Sequence, residues 1–518
     1  MKPLSARSFA VALALLAAPA LVVPVVGQLP DRTQAPNVAN AGIALSLTEQ
    51  IGAGRGDVLT PDSSDYVIAR DPFRAIRRGR QLFQRKFTRL QNQGPGVEDG
   101  TGDIGANKAI GAGLSDSCAG CHGRPRGAAG FGGDVATRPD SRDAPHLFGL
   151  GLKEQLADEM TAELRAIRTL ATARAIRRGG PVTRALVAKG ISFGRLTALP
   201  DGSVDVSQVE GVDPDLRVRP FFADGATMSI REFVVGALNA EMGIQVSDPE
   251  LTAAHNGARV LTRSGMVLDG DQDRVEAPPG GAGKLDPAVV DYLEFYLFNY
   301  FKPATGEQTE LTESGRQVFA RAGCQTCHVA NLAIARDRRV ADVETVYDPN
   351  RGIFNALFST ASARIRVDDD GSGHPGVKRP VLQPFLVRNI FTDFKRHDLG
   401  PGFHERNYDG TMQRQFLTTP LWGVGSTAPY GHDGRSLTLH DVILRHGGEA
   451  EESRDAYAAM PPQRQLRLQL FLQSLMLFPP DDTASNLDPG DPSTAGFPQF
   501  GHGSIKLTVL FNDPRKVE

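Results

Sequence analysis

The sequence predicts a mainly α fold: two copies of one helical domain, each interrupted by long loop insertions. Three observations carry that prediction. A five-residue pattern occurs twice, as Gly79-Arg80-Gln81-Leu82-Phe83 and as Gly315-Arg316-Gln317-Val318-Phe319. Each copy is followed by two cysteines with a histidine directly behind them, and later by an apolar stretch of helical length. With 56 glycines and 35 prolines in 518 residues, the connections around these helices must be long and loop-rich. A repeat of this length is a duplicated domain rather than a solenoid.

Composition bounds the function. A chain of 518 residues that is 40 % hydrophobic and 23 % charged is not disordered and has room for two or three cores. A formal net charge of −3 offers no broad cationic field, which argues against nucleic acid as a partner. After residue 30 no apolar run reaches the roughly 18 uncharged residues that a membrane span needs. The first residues read differently. Lys2 and Arg7, the apolar stretch Phe9 to Val23 and small residues up to Gly27 form the pattern of a cleaved secretory signal over residues 1–27. A membrane anchor would need a longer run. The expected location is therefore periplasmic or secreted, with the mature chain starting near Gln28.

All four cysteines fall in two motifs, Cys118-Ala119-Gly120-Cys121-His122 and Cys324-Gln325-Thr326-Cys327-His328. CxxCH is the attachment pattern of c-type haem. One helical turn places both sulfurs on one haem edge, where they add across the vinyl groups, and brings the imidazole under the iron as an axial ligand. Disulfides, a zinc site or thioredoxin-like redox pairs would not require a histidine after each second cysteine. An exported chain agrees, since covalent haem is assembled outside the cytoplasm. Two covalently bound haem c groups are expected, held by Cys118, Cys121 and His122 and by Cys324, Cys327 and His328.

The elements follow in order. Residues 28–70 are a loosely patterned N-terminal extension. Residues 71–305 form an N-terminal cytochrome c-like domain, in which roughly 30 extra Gly- and Asp-rich residues separate the repeat from its cysteines. A closing helix is expected over Pro287 to Phe301, with Asp286 as N-cap and Pro287 at N1. Residues 306–480 form the second such domain, closed by a helix over Gln463 to Phe478 that ends at Pro479-Pro480. A second echo pairs Ala144-Pro145-His146-Leu147-Phe148-Gly149-Leu150-Gly151 with Thr419-Pro420-Leu421-Trp422-Gly423-Val424-Gly425. Strand content reads as minor, with Ile505 to Phe511 the best candidate inside a C-terminal tail of residues 481–518. The arginines at 165, 168, 174, 177 and 178 read as a solvated helix face, with contact to a haem propionate as the lesser reading.

With both motifs placed, the chain resembles the bacterial di-haem cytochrome c peroxidase superfamily, and within it the di-haem oxidoreductase (thiol oxidoreductase) branch. The segments that carry the resemblance are Arg142-Asp143-Ala144-Pro145, Phe221 to Gly243, and above all Thr427-Ala428-Pro429-Tyr430-Gly431-His432-Asp433-Gly434-Arg435 with Ile443-Leu444-Arg445-His446-Gly447-Gly448-Glu449. It covers residues 72–480. Related proteins include the maturation enzyme of methylamine dehydrogenase and the haem-dependent rubber oxygenases.

The resemblance implies roles. His446 matches the position of the distal ligand of the second haem, against the alternative of a loop histidine. His397 and His404 compete for that role but read as structural. For the first haem, the stretch Thr137-Arg138-Pro139-Asp140 holds no histidine where resting peroxidases place a removable ligand. His146 nearby reads as core packing, so the first haem is expected to be open. Phe222 stands where peroxidases carry a tryptophan between the haems, and the single Trp422 lies elsewhere. Glu241 aligns with the distal glutamate, the group that takes a proton from one peroxide oxygen and gives it to the other. The alternative for Glu241 is an ordinary helix carboxylate. Leu238 replaces a phenylalanine of the rubber oxygenases. Asp143, with the carbonyls of Thr427 and Pro429, matches an interdomain calcium site, an oxygen set that suits a hard cation.

The implied activity is that of a peroxidase-like oxidoreductase whose open N-terminal haem meets peroxide while the six-coordinate C-terminal haem relays electrons from a small donor protein. Two alternatives stay open at this point: a dioxygenase of the rubber-oxygenase type, and a plain di-haem electron carrier.

Overall fold

The computed structural model describes residues 46–88, 115–122, 144–269, 285–299, 308–347, 359–368, 376–378 and 384–476, apart from a few single positions within these spans. The expected signal (1–27), Asp143, the stretch 137–140, the strand 505–511 and the tail 481–518 lie outside the described residues, as does the start of the 28–70 extension. No helix among the described residues is long and apolar enough to cross a membrane.

The fold is mainly helical. In chain order the helices are α1 (Leu47–Ile51), α2 (Ser64–Arg70), α3 (Pro72–Gln84), α4 (Cys118–Cys121), α5 (Leu150–Arg178), α6 (Ile230–Ala240), α7 (Pro249–His255), α8 (Ala288–Asn299), α9 (Glu310–Arg321), α10 (Leu439–Arg445), α11 (Glu451–Ala458) and α12 (Pro462–Gln473). The closing helices α8 and α12 fall in the two expected apolar stretches. Asp286 Oδ1 accepts from Ala288 N–H at 2.8 Å and so caps α8 as its spacing predicts.

The duplication is one of packing as well as sequence. α3 packs on α8, and α9 packs on α12. A methyl group at Gly79 would collide with the carbonyl of Tyr292, and one at Gly315 with the carbonyl of Arg467. Four residues on, Phe83 meets Tyr296 with ring centroids 5.8 Å apart, and Phe319 meets Phe471 at 5.5 Å. The glycine lets two backbones approach, and the phenylalanine fills the space one turn away. The second echo is structural too: Gly151 abuts the carbonyl of Phe298 and Gly425 that of Gln473, at the last turn of each closing helix.

Around α3 and α8 lies a core that includes Leu82, Phe83, Ile230, Val235, Leu238 and Phe295. Arg231 of α6, its side chain fully buried, pairs with Asp248 and Asp291 and, at 2.6 Å, with Glu294, and thereby ties α6, α7 and α8 together. A smaller core around Phe319, Phe391 and Phe471 serves α9 and α12. A third core joins the two halves. Leu156, Met160, Leu164, Leu186 and Phe193 pack with Leu332, Ile334, Ile390, Phe394 and Trp422.

That third core rests on strands the sequence reading did not anticipate. β1 (Val182–Ala188) and β2 (Ile191–Ala198) form an antiparallel hairpin, with β3 (Val204–Asp205) beside β2. Lys189 and Gly190, at φ 52° and 81°, make the two-residue turn that joins Ala188 to its partner Ile191. Several further two- and three-residue strands pair between residues 259 and 417, among them Arg396–Asp398 with Gln415–Leu417.

A candidate pair of haem-binding sites

The first cysteine pair lies on one turn. Ser117 is extended (φ −153°, ψ 151°) and its hydroxyl accepts from Gly120 N–H at 3.0 Å, so α4 starts at Cys118. His122 closes the turn, with its N–H on Cys118 O at 2.9 Å. Its Nδ1 lies 2.7 Å from the carbonyl oxygen of Pro145. A carbonyl can only accept, so Nδ1 carries the proton and the Nε2 lone pair is left for a metal. Burial pushes the imidazole down to about 4, which keeps it in the neutral, ligating form.

The second pair reaches the same result by a different turn. Gly323, at φ 83°, leads into a 3₁₀ turn over Cys324–Thr326, and His328 N–H donates to Cys324 O at 3.0 Å. His328 Nδ1 lies 3.1 Å from the carbonyl of Phe391, again fixing the tautomer with Nε2 free. Burial pushes His328 down to about 4 as well, with His446 close enough to act on it electrostatically. The four thiols are unbridged. Among the described residues the one convergent His/Cys/Asp/Glu group is Cys327, Asp393 and His397.

His446 repeats the pattern of the proximal histidines. It caps α10, and its Nδ1 lies 2.6 Å from Val442 O one turn back. The competing histidines are used on both or on the outward nitrogen. His397 places Nε2 at 2.8 Å from Asp393 and Nδ1 at 2.7 Å from Glu449. Burial opposes its charge, yet Asp393 holds it up at about 11, and both ring nitrogens face carboxylates. His404 Nε2 is held by Asp398 at 2.7 Å. The structural reading of His397 and His404 matches these contacts.

Sequence reasoning passed over what aims His446. Asp433, 1 % exposed, takes Arg445 in a two-pronged pair, one arm at 2.8 Å. Arg445 Nε donates to Gly402 O at 2.9 Å, and the guanidinium lies 4.3 Å over the Phe403 ring. Phe403 in turn meets the His446 ring edge-on at 5.4 Å. The signal was present in the HDG turn and in the arginine beside His446, but neither spacing shows that the two meet. The carbonyls of Pro145 and Phe391 were invisible for the same reason.

His146 is held at one ring nitrogen. Nδ1 accepts from Phe148 N–H at 3.2 Å. Burial and Lys153 push it down to about 3, so it is neutral with one proton. Its ring lies edge-on to Phe148 at 6.2 Å, in line with the core reading.

The remaining candidates are placed as follows. Glu241 is the half-buried C-cap of α6. Leu238 is 1 % exposed within the first core, enclosed by protein atoms on every side. Phe222 is 43 % exposed at φ 60°, its ring 5.3 Å from Phe233. Thr427 and Pro429 flank a cis Ala428–Pro429 peptide, while Asp143, their expected partner, lies outside the described residues. Arg174, Arg177 and Arg178 are exposed on the last turns of α5, as a solvated face requires, whereas Arg165 donates to Asp215 O at 3.2 Å.

Residues 330–475 match the family described as "Di-haem oxidoreductase, putative peroxidase". No curated protein matches the chain. Among solved structures, hydrazine synthase of Kuenenia stuttgartiensis, determined under pressurised xenon, aligns over 90 % of this chain and 100 % of its own. At 12 % identity and a TM-score of 0.34, that likeness carries no argument.

Proposed function

Since residues 330–475 match the di-haem oxidoreductase family, we propose that this protein is a periplasmic or secreted di-haem c-type peroxidase that draws electrons from a small donor protein. The observation that carries the proposal is the shared state of three histidines. His122, His328 and His446 each spend Nδ1 on a backbone carbonyl, at 2.7, 3.1 and 2.6 Å, and keep Nε2 for a metal.

The residues fit covalently held haem. Cys118 with Cys121 and Cys324 with Cys327 each span one turn, with the ligating histidine next in the chain. When bound, haem supplies a one-electron redox couple and, where its sixth position is open, a place for a peroxide oxygen. His328 and His446 would both offer Nε2 to the second haem, and His122 would offer Nε2 to the first.

Glu241 is the group we assign to proton movement. Reduction of one hydrogen peroxide to two waters takes two electrons from the donor and two protons. A carboxylate beside the O–O bond accepts the proton of the near oxygen and returns it to the departing one. Asp143 with the carbonyls of Thr427 and Pro429 is proposed to hold a calcium ion that fixes one domain against the other, and oxygen donors of this kind suit that cation.

The test is a spectrum followed by turnover. The holo-protein is expected to show one high-spin ferric haem that binds cyanide, one low-spin haem, and peroxide-dependent oxidation of a reduced one-electron donor. Two low-spin haems with no ligand binding would make the chain a carrier. Oxygen-dependent cleavage of polyisoprene without peroxide turnover would make it a dioxygenase.

A further inference from the structure

The outer half of α5 and the hairpin that folds back along it carry one sign of charge. Residues 165–200 hold seven arginines, one lysine and no acidic residue, in a chain with 60 acidic residues and a net charge of −3. Three of the eight cations are spent within the fold. Arg165 and Arg168 donate to the Asp215 carbonyl at 3.2 and 3.4 Å, and Lys189 pairs with Glu159 at 2.5 Å and Glu163 at 3.2 Å. Arg174, Arg177, Arg178, Arg184 and Arg195 are exposed and make no ion pair among the described residues. The next acids along the chain, Asp201 and Asp205, accept from Ser203 and Ser207 of their own turns. Among the arginines, Leu170 and Ile176 of α5 are 71 % and 55 % exposed.

We propose that this arm is the docking surface for an acidic protein, the small electron donor of the functional reading above. The inference rests on that reading and goes beyond it by naming the surface and the charge of the partner. A face that serves only solubility intersperses both signs. Here five like charges stand together, and an anionic partner surface relieves their repulsion. Arginine is enriched at protein interfaces and lysine depleted, and its planar fork pairs a carboxylate through two parallel hydrogen bonds. A helix that lies in a membrane keeps a continuous apolar face for the lipid. α5 spends its own on the core, with Leu164, Ala171 and Ala175 buried. Leu170 and Ile176 are left as separate apolar contacts ringed by charge, the layout of a protein interface.

The root of the arm favours the same partner. Leu186 and Phe193 of the hairpin share a core with Leu332 and Ile334, four and six residues after His328. Glu159 takes Lys189 at the hairpin turn and also accepts from Ala335 N–H at 2.8 Å, which ties that turn to the same segment. From Glu163, beside the turn, to Arg178 the helix rises about 22 Å. A folded partner of about 100 residues has a radius of gyration of about 13 Å, so one lying along the arm also reaches its root. Docking there brings the donor beside the half proposed to receive its electron. Attraction between unlike surfaces raises the rate of encounter and fixes the register of the complex. Each encounter oxidises one donor and reduces the second centre by one electron, so one peroxide consumes two encounters.

The experiment gives the holo-protein three reduced donors, a small acidic c-type cytochrome, a small basic one and an uncharged quinol, and measures binding of each oxidised cytochrome separately. With Arg174→Glu, Arg177→Glu and Arg178→Glu combined, kcat/KM for the acidic cytochrome is expected to fall about tenfold or more at low salt, the scale of electrostatic steering. The difference shrinks as added salt screens the exposed charges. Binding of the acidic cytochrome weakens in step, the basic one binds better than to wild type, and quinol turnover and both haem spectra are unchanged. Leu170→Ser with Ile176→Ser is expected to speed release of the acidic cytochrome and to leave the salt dependence as it was. If the charge-reversed chain does not fold, Arg→Gln at the same three positions takes its place, with a smaller loss. Equal rates and equal binding of the acidic cytochrome in wild type and variant overturn the proposal. So does a wild type that does not bind it. Capture by phosphatidylglycerol vesicles that is lost in the variant, with no effect on either cytochrome, overturns it in favour of a lipid surface. Failure of the wild type to turn over peroxide with the quinol sinks the functional reading alone, because cytochrome binding is read without turnover.

Discussion

Gly315 lies directly against the backbone carbonyl of Arg467, with no room for a methyl group between α9 and α12. Gly79 stands in the same relation to Tyr292 between α3 and α8. Each contact sets the distance between the opening and closing helices of its half, and each CxxCH turn follows from the opening helix.

Gly315→Ala is therefore expected to destabilise the protein by about 1–3 kcal/mol, the range for overpacking a tight contact. The check is the denaturant midpoint of the holo-protein, followed at the haem bands. Gly410, where a Cβ would meet nothing within 4 Å, makes a poor control because its φ is 84°. Gly180→Ala, open and without a left-handed φ, serves instead and is expected to change little.

His446→Ala is expected to convert one haem from low to high spin while the other is unchanged. His397→Ala is expected to leave both spin states intact, since both His397 nitrogens are already held by Asp393 and Glu449. Magnetic circular dichroism of the ferric protein reads both outcomes. A spin change in His397→Ala alone would move the ligand to that residue.

Asp433→Ala leaves Arg445 without its buried partner and is expected to cost about 3–5 kcal/mol. It also frees α10 and weakens ligation by His446. The pH dependence follows in sign. Burial raises the Asp433 carboxyl, but Arg445 and His432 outweigh it and hold it below its ordinary value. Stability from a depressed carboxylate is full above its unfolded value of about 3.9 and is lost as pH falls through the lower folded value. The low-spin signal is thus expected to persist at pH 5 and to fade only in stronger acid. In Asp433→Ala that acid step is absent.

Glu241→Gln is expected to lower peroxide turnover by about a hundred- to ten-thousand-fold, the usual worth of general acid–base help. Both haems should remain attached with normal spectra. Turnover equal to wild type would return Glu241 to the status of a helix-capping carboxylate.

Removal of calcium by exhaustive chelation is expected to shift the haem spectra and to depress activity, and added calcium to restore both. Asp143→Ala should behave like the chelated protein. Unchanged kinetics in a protein shown to be metal-free would rule the site out.

The sequence by itself determined the repeated unit. A glycine and a phenylalanine four residues apart, a CxxCH turn and an apolar stretch are local patterns, and local patterns specify which helix face is apolar and where two backbones can touch. It likewise marked His122 and His328, because chain neighbours decide whether a histidine follows a cysteine pair, while His446 was marked by the resemblance. What only the tertiary structure decided is the partner of each ring. The carbonyls of Pro145 and Phe391, the Asp433–Arg445 pair and the carboxylates on His397 join residues from 4 to 63 positions apart. Backbone carbonyls occur at every residue and carry no sequence signature, so only folding selects which one meets a ring. The β1–β2 hairpin was missed for a related reason. Its strands alternate irregularly, with Val182, Leu186 and Ala188 buried, and their inward face is defined by α5 and by residues of the other half rather than by any period along the chain.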